Sequence, residues 1–499
     1  MEPDIVDPSG KPVVTNLVQR KQYLTVFFIL LLSLIGWLGA NAYIQIETNR
    51  FSSLFEQGKY SDASGLYHQA ADFLPGGGER WLKGRFEGAL VSRLDLMVED
   101  YLSNKVEYGE VEKCLKAIDE MGLIPDNLRK SQALVTAEQA SRLSDEREAV
   151  SIIETALEAY PGDDLLKAQL ARYQTRAAEL VLYNGPVQHI FFHPLIVHPE
   201  KAFDDDRMAR GLNEFMVTVK EFNLIVESLY ERDFILIDTH EIFEERVNNG
   251  ETELVRKELW LPENKKPLIL SIDDLNFYPY MKENGMNHKL VLDSEGNVAA
   301  DLFSPEGKEI TAYDTEIITI LDRFVVDNPG FSYKGAKGII ALTGFNGVLG
   351  YQTDAISSPA YDAEKEQALA VIERLKETGW SFACHGYGHI DTARRSLDDL
   401  IKDTEKWKVE VESLIGPTDM YIYPYGSSVP TTDPRFKYLQ QSGFKVFCGV
   451  GPKEYMRYYP DSIVMDRRHM DGIAFWHQPE TLEDLFSVNE VIDPVRPPL

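Results

Sequence analysis

Hydrophobic residues are distributed in three ways along this chain, and the first is one long uninterrupted run. Residues 23–44 read YLTVFFILLLSLIGWLGANAYI and carry no charged side chain. As a helix, ~22 residues would cross about 30 Å of hydrocarbon, the thickness of a bilayer core. Arg20 and Lys21 stand directly before the run, and positive charge on that side predicts a cytoplasmic N-terminus.

Two interpretations of this run are open, an uncleaved signal anchor and a cleaved signal peptide. The run is long for a signal peptide, starts late, and has no convincing small-residue cleavage site before polar sequence resumes. We therefore favour the anchor. Residues 1–22 are then a cytoplasmic tail, residues 23–44 a transmembrane signal anchor, and the bulk of the chain is extracytoplasmic on a single-pass protein of the cell membrane.

The second distribution, over residues 47–182, has the 3.6-residue spacing of helices that are apolar on one face. Residues 54–74 show it and stop at Pro75, and a second copy closes at Tyr160-Pro161. The apolar positions of the second copy are Ala149, Ile152, Ile153, Ala156 and Leu157. The ending ALEAYPGDD resembles a tetratricopeptide-type helix pair. An ordinary helical bundle places these residues in the same way, so both architectures stay open, as does a protein partner on this region.

The third distribution begins near residue 187 and continues to about residue 485. Short apolar runs such as PLILSIDD and KGIIALTG alternate there with amphipathic helical segments such as EKEQALAVIERLKETG. Strand alternating with helix is typical of a parallel sheet whose function lies at the carboxyl ends of the strands. At least six such strands predict an α/β domain in the form of a distorted (β/α) barrel.

Charge and cysteine content exclude some functions. The chain has 499 residues, 80 acidic against 51 basic, and a formal net charge of -29. Phosphate binding requires a basic face, so this balance argues against a nucleic-acid partner. The three cysteines, Cys114, Cys384 and Cys448, give no disulfide framework, and free buried thiols are favoured over a Cys384–Cys448 bridge.

Polar residues follow three of the predicted strands of the barrel. Asp273 and Asp274 come after an apolar run, and two histidines, His385 and His389, follow another about a hundred residues later. Tyr425 lies just beyond a third. Two imidazoles and one carboxylate can hold Zn²⁺ or another divalent metal, which leaves the second carboxylate free as a base.

These segments resemble the polysaccharide deacetylases of carbohydrate esterase family 4, the NodB-homology domain, over roughly residues 187–480. The family's paired aspartates are matched by residues 271–275, which read Ser-Ile-Asp-Asp-Leu, and its histidine pair by residues 385–389. Residues 422–426, Ile-Tyr-Pro-Tyr-Gly, match a third family segment.

The resemblance assigns roles residue by residue. It implies that Asp273 is the general base and that Asp274, His385 and His389 are the metal ligands. It also implies that the backbone N–H of Tyr425 stabilises the oxyanion. The last family motif supplies a catalytic histidine, for which His469 is our candidate acid although it does not align cleanly.

The chain departs from the family pattern at several positions. Leu275 replaces a glycine, and Gly386 replaces a serine or threonine. The arginine that supports the base in the family would fall at Ile422, so that partner is either missing or supplied from elsewhere. The strand before His469 is predicted to end at Met465.

Two further features bear on the site. His193 ends an apolar run and either lines the rim or is structural. The insertion at about residues 277–334 contains a predicted hairpin with a Gly-Asn turn. Its aromatic residues, Phe277, Tyr278 and Tyr280, either bind sugar rings or pack within a lid.

The predicted function is a membrane-anchored, zinc-dependent hydrolase that removes N-acetyl groups from a cell-envelope polysaccharide or peptidoglycan. One alternative is a catalytically degenerate envelope adaptor that binds glycan or protein. The missing arginine and the unaligned histidine favour the adaptor, whereas intact ligands and base favour the enzyme. An esterase or amidase for another acyl substrate is a third possibility.

Overall fold

The computed structural model describes residue 8 and residues 14–73, 78–248 and 250–499 of the chain. Two compact units are formed: a helical unit of Met1–Gln139 with Ala149–Ala171, and a barrel unit of Ala140–Glu148 with Arg172–Leu499. Most of the predicted tail of residues 1–22, together with Leu74 and Pro75, lies outside the described residues.

Seven helices precede the barrel, as the 3.6-residue spacing predicts. They are α1 (Val14–Glu56), α2 (Tyr60–Phe73), α3 (Gly78–Leu102), α4 (Tyr108–Glu120), α5 (Leu128–Arg142), α6 (Glu146–Ala159) and α7 (Asp164–Ala178). Aromatic rings form the centre of the helical unit, where Phe51 stacks on Phe86 at 4.2 Å between ring centroids and Tyr67 approaches Phe86 at 5.6 Å. The tetratricopeptide part of the expectation stays a prediction.

Helix α1 joins the long apolar run to the helical unit. The segment Arg20–Glu56 is long and apolar enough to cross a membrane, with a mean hydropathy of 2.2 in its most apolar window. The side chains of the run are exposed up to Gly39 and become partly buried from Ala40, Ile44 is buried, and Phe51 and Phe55 follow in the core. Such a helix near the N-terminus is a membrane span or a signal sequence by length and composition.

The barrel unit contains sixteen strands among the described residues. They are β1 (Val181–Leu182), β2 (Gln188–Phe192), β3 (Phe234–Leu236), β4 (Phe243–Asn248), β5 (Glu251–Arg256), β6 (Trp260–Leu261), β7 (Lys266–Asp273), β8 (Lys289–Leu292), β9 (Val298–Phe303), β10 (Glu309–Ala312), β11 (Gly338–Leu342), β12 (Trp380–Cys384), β13 (Met420–Ile422), β14 (Val446–Val450), β15 (Tyr455–Tyr459) and β16 (Ser462–His469).

Seven of these strands close into a parallel barrel, so the predicted fold class is confirmed. Their order is β11-β12-β13-β14-β16-β2-β7, and β7 pairs again with β11 to close the ring. Strand β3 adds to the outside of β7, and β15 pairs antiparallel with β16. All carboxyl ends of the ring therefore meet at one rim.

Helices connect and cover these strands. They are α8 (Pro199–Ala202), α9 (Ala209–Phe215), α10 (Val219–Glu231), α11 (Pro279–Glu283), α12 (Ile317–Asp327), α13 (Tyr361–Glu377), α14 (Leu397–Trp407), α15 (Ser413–Ile415), α16 (Pro434–Gln441), α17 (Gly472–His477) and α18 (Val488–Val491). A π-helical turn, Lys408–Glu412, separates α14 from α15.

Alternation along each strand sorts side chains into two layers. One set fills the barrel interior, including Ile269, Ala341, Ile422 and Ile463. The other faces the covering helices: Leu270, Leu342, Cys384, Tyr421 and Phe447. Cys384 therefore points into the outer packing layer, as expected of the residue before a site histidine. All three cysteines are buried and free.

The insertion after β7 forms the predicted hairpin. Strands β8 and β9 pair antiparallel from Lys289↔Asp301 to Leu292↔Val298, and β10 extends the pair to three strands. Gly296 adopts a φ of 82° in the connecting turn, a conformation that glycine reaches without a steric penalty.

Candidate metal centre and active site

The polar residues of three sequence segments reach the same end of the barrel. Asp273 is the last residue of β7 and is paired in register with Ala341 of β11. His385 directly follows β12, whose last residue, Cys384, pairs with both Leu342 and Tyr421. Strands β7 and β12 flank β11 in the parallel ring, so both side chains lie at one rim.

Asp274, His385 and His389 form a cluster with the composition of a metal site. Their ligand atoms all lie within 4.8 Å of one another, and His389 Nε2 is 3.6 Å from Asp274 Oδ2. Zn–N distances of about 2.0–2.1 Å place tetrahedral donors roughly 3.4 Å apart, so this spacing fits one divalent ion. Two nitrogen donors and one carboxylate form a donor set that suits zinc.

The hydrogen bond of His385 fixes which nitrogen can act as a ligand. Nδ1 lies 2.9 Å from the carbonyl oxygen of Ile422, so Nδ1 carries the proton and donates it. Burial lowers the pKa of His385, although Asp273 and Asp274 oppose this. A neutral ring with Nε2 unprotonated follows, which is the ligand form of histidine.

The carboxylate of Asp274 is held from the opposite side by a residue of the insertion. Tyr278 Oη donates to Asp274 Oδ1 at 2.8 Å and lies 2.6 Å from Thr343 Oγ1. This leaves Asp274 Oδ2 facing His389. Among the three insertion aromatics, Phe277 packs in the core, whereas Tyr278 orients the carboxylate of Asp274, a role different from the sugar binding and the lid packing that were expected.

An aspartate of α14 holds the loop that carries the two histidines. Asp403 accepts hydrogen bonds from the backbone N–H groups of Tyr387 (2.7 Å) and Gly388 (2.8 Å). Gly386 has a φ of 68°, and a Cβ atom there would lie 2.9 Å from Asp403 Oδ2. The two histidines are therefore carried by a loop that Asp403 holds. A side chain at position 386 would have to displace the Asp403 carboxylate, so the loop favours glycine there.

Asp273 has the arginine partner that the sequence pattern could not locate. Arg467 Nη1 and Nη2 donate to its two carboxylate oxygens at 2.7 and 2.9 Å, and all these atoms are buried. Burial alone would raise the pKa of Asp273, but the charge of Arg467, with contributions from His385 and His193, lowers it well below its usual value. Asp273 is therefore ionised, and its Oδ2 lies 3.8 Å from His385 Nε2.

The prediction that this strand ends at Met465 is wrong, because β16 continues through His469. Ile463 and Met465 face the barrel interior, and two residues further on the same alternation turns Arg467 inward. This alternation was a usable signal, but four consecutive polar residues after Met465 concealed the strand. The open alternative is settled: the arginine comes from β16, not from the position of Ile422.

Tyr425 lies beside the cluster. Its ring centroid is 4.4 Å from that of His389, and its φ is 59°. A bulky residue in the left-handed region is uncommon and marks backbone held by its surroundings. The side chain is 70% exposed, so the ring forms part of the rim surface.

His469 lies further from the cluster, next to Phe191 of β2. Its Nδ1 is 2.8 Å from Asp471 Oδ2, and its ring is 6.4 Å from that of Phe191. Burial opposes charge on His469, but the bonds to Asp471 and Gln478 outweigh it and raise its pKa. The guanidinium of Arg467 lies over the same Phe191 ring at 4.1 Å, so Phe191 links His469 to the Asp273 pair.

His193 follows β2 and lies near the same group. Its ring centroid is 5.9 Å from that of Phe191, and it is close enough to Asp273 to help lower the pKa of that carboxyl. His193 was expected either to line the rim or to be structural, and its place beside Asp273 agrees with the first of these roles.

Comparisons with known proteins give two matches in structure and none in sequence. No protein-family model matches the chain, and no curated protein matches it. The chain is similar to the Streptococcus pyogenes deacetylase PplD, solved in complex with acetate, at 14% identity and a TM-score of 0.35, covering 60% of this chain and 98% of that chain. A candidate polysaccharide deacetylase from Mycobacterium smegmatis matches at 16% identity and a TM-score of 0.21, over 30% of this chain and 43% of the other.

Both matched proteins are named as deacetylases.

Proposed function

We propose that this protein is a membrane-anchored, metal-dependent deacetylase that hydrolyses N-acetyl groups of an extracytoplasmic polysaccharide. One observation carries the proposal. Three metal-ligand side chains, Asp274, His385 and His389, meet within 4.8 Å next to a second carboxylate that a buried arginine holds in place. A metal site with an adjacent base is the arrangement that hydrolytic metalloenzymes require.

Asp273 would be the general base, and Arg467 would keep it ionised. When bound, zinc or another divalent ion supplies the Lewis acidity that activates water and polarises the acetyl carbonyl. Asp273, kept ionised by Arg467, accepts the proton of the attacking water. Arg467 pairs with Asp273 although Ile422 stands where the family arginine would fall, so one of the two reasons for preferring a degenerate adaptor is weakened.

Two further residues would complete the reaction. The backbone N–H of Tyr425 would donate to the oxygen that gains negative charge when water attacks the acetyl carbon. His469 would then give its proton to the sugar nitrogen as the C–N bond breaks, which releases acetate and an amine. The raised pKa of His469, maintained by Asp471, supports this role because a general acid must be protonated near neutral pH.

Exposed aromatic side chains at the rim support a sugar substrate. Tyr425 is 70% exposed and Phe345 54% exposed, and Phe345 lies 6.1 Å from the ring of Tyr278, the partner of Asp274. Flat apolar rings with a polar centre between them suit a sugar, which has an apolar C–H face and a polar edge.

The location follows from α1. The helix that would cross the membrane continues without interruption into the core of the helical unit, so the apolar run and the domain form one structural element. This continuity supports an anchor that is retained. The Arg20–Lys21 pair before the run supports a cytoplasmic N-terminus, with the barrel outside.

Acetate release from three classes of substrate tests the proposal. The full chain in detergent, loaded with Zn²⁺, would be incubated with N-acetylglucosamine oligomers, an O-acetylated glycan and an N-acetylated peptide. We expect acetate from the oligomers above all. Preference for the ester or the peptide would identify a different hydrolase, and metal binding without any acetate would favour the adaptor.

A further inference from the structure

Two exposed aromatic side chains of the helical unit lie beside the end of the apolar run. Phe73, the last residue of α2, is 69% exposed, and Trp81, near the start of α3, is 38% exposed. Their rings face residues of α1. Phe73 lies 4.9 Å from Tyr43, and Trp81 lies 6.2 Å from Trp37. A cluster of large exposed aromatic rings indicates a surface that contacts a membrane or another molecule, not water alone.

The position of these contacts along α1 determines how deep they lie relative to the proposed membrane span. Trp37 precedes Ile44, the end of the predicted span, by about 10 Å of helix at 1.5 Å per residue. The end of α2 and the start of α3 therefore lie beside the last two turns of the segment that would cross the membrane. If residues 23–44 are in lipid, Phe73 lies at the lipid boundary beside Tyr43, and the ring of Trp81 lies below that boundary beside Trp37, in the outer part of the hydrocarbon.

The charges around Trp81 fit that boundary. Arg80 and Arg85 flank it in α3 and are both exposed, in a chain whose formal net charge is -29. Tryptophan and tyrosine are enriched where membrane meets water, and arginine binds the phosphates of anionic lipids there. Although the protein as a whole is acidic, the surface near the outer end of the span combines basic and aromatic residues. This is the composition of a surface that lies at a membrane–water interface.

We propose that Phe73 inserts at the head-group boundary of the bilayer and Trp81 into the outer hydrocarbon just below it, with Arg80 and Arg85 extending toward the lipid phosphates. The inference rests on the proposed membrane anchor and extends it. The helical unit is then attached at two places, the span and this second contact, and is held in a fixed orientation on the membrane surface.

Spin labels on single introduced cysteines test the contact, because the native cysteines are buried and free. The full chain would be reconstituted in phosphatidylcholine–phosphatidylglycerol bilayers with a label at Trp81→Cys, Leu30→Cys or Leu96→Cys. Leu30 reports on the span. Leu96 is the matched control, since it lies on α3 like Trp81, is 47% exposed, and is roughly 22 Å further along the helix.

Access to oxygen and to a water-soluble nickel complex would place each label. We expect the label at Leu30 deep in the lipid interior, that at Trp81 in lipid just below the head-group layer and that at Leu96 in water. A label at Trp81 as accessible to nickel as that at Leu96, with Leu30 still in lipid, would overturn the second contact and leave the anchor intact. A label at Leu30 in water would refute the anchor itself.

A second readout keeps the native surface. Brominated lipids quench tryptophan emission on contact, so wild type and Trp81→Phe can be compared in the same bilayers. We expect the lipid-quenched emission to fall by about half in the variant, with Trp37 supplying the remainder. Equal quenching in both proteins would overturn the proposed insertion.

Discussion

Two arginine–carboxylate pairs are buried in the barrel unit, and they differ in what surrounds the carboxylate. Glu221 and Arg496 are fully buried, and Glu221 accepts from Arg496, from Thr218 N and from Asp493 N. Arg496 also donates to Asn213 and to the carbonyl of Met216. Every direction around that carboxylate is occupied by a donor of the fold, so the pair is structural.

The Asp273–Arg467 pair is also bidentate, through Nη1 and Nη2 where Arg496 uses Nε and Nη2, but its setting is different. Its neighbours are His385 at 3.8 Å and the rim of the barrel, where Asp274 and His389 lie. The comparison shows that burial and an arginine partner do not by themselves indicate catalysis. The nearby ligand-type imidazole and the position at the strand ends do.

The largest effect should come from Asp273→Asn. Removing the proposed base while keeping the side-chain shape should lower acetate release by about 10²–10⁴-fold. Zinc content and the melting temperature should change little, because the ligands are intact. Activity measured with metal analysis on the same sample checks this. Full activity in the variant would show that Asp273 is no more catalytic than Glu221.

Matched arginine variants test the two pairs against each other. Arg496→Lys keeps the charge but loses the planar fork and most of its hydrogen bonds, so we expect a loss in unfolding free energy on the order of 2–4 kcal/mol with activity per folded molecule unchanged. Arg467→Lys should instead lower acetate release by at least about tenfold. Denaturant titration and kinetics on both variants provide the measurements. Equal activity losses would contradict the division into structural and catalytic pairs.

A third buried carboxylate sharpens the comparison because it has donors but no ion-pair partner in the structure. Glu316 caps α12 and accepts from Ile317 N and Asn287 Nδ2, and burial raises its pKa to about 7. The folded chain then binds this proton more tightly than the unfolded chain, whose glutamates titrate near about 4.3. Stability contributed by Glu316 should be greatest below about pH 4 and decline as the pH rises to about 7.

Glu316→Gln should remove this decline while keeping the side-chain shape. The expected difference in pH-dependent stability is on the order of 1–3 kcal/mol. Unfolding free energies of wild type and variant between pH 4.5 and about 8 would show it. Parallel curves for the two proteins would mean that Glu316 is ionised in the folded chain, as Asp273 is.

The smallest expected effect concerns the proposed acid. Asp471 raises the pKa of His469, and it also caps α17 through its other oxygen, which accepts from Ala474 N. Asp471→Asn keeps the cap but removes the charge, so the pKa of His469 should fall. The alkaline limb of the rate profile, where His469 loses its proton, should move to lower pH by about one unit. An unchanged limb would exclude His469 as the titrating acid.

The comparison also explains which parts of the site could be predicted from sequence. Asp273, Asp274 and His385 follow apolar runs directly, so local pattern places them at the ends of parallel strands. Arg467 depends on the length of β16, which a polar sequence conceals. Tyr278 reaches Asp274 only because Asp274 and Phe277 adopt φ values of 59° and 58°.

Other contacts depend on distances that no local pattern encodes. Asp403 lies on α14, which begins after the histidine loop in sequence, and accepts hydrogen bonds from that loop. A barrel was expected from the number of strands, but its closure by β7 and β11 and the register that aligns Asp273 with Ala341 emerge only in the folded sheet. Sequence therefore predicts the candidate base and metal-ligand residues, and the fold brings in the residues that orient them.

Metal content measured together with acetate release tests the central claim most directly. Wild type, His385→Ala and the control His477→Ala, which changes an exposed histidine, would be loaded with Zn²⁺, freed of excess metal and assayed on N-acetylglucosamine oligomers. We predict about one zinc ion per chain with acetate release for wild type and His477→Ala, and loss of both in His385→Ala. Zinc and activity retained in His385→Ala, or no zinc in the wild type, would contradict the account.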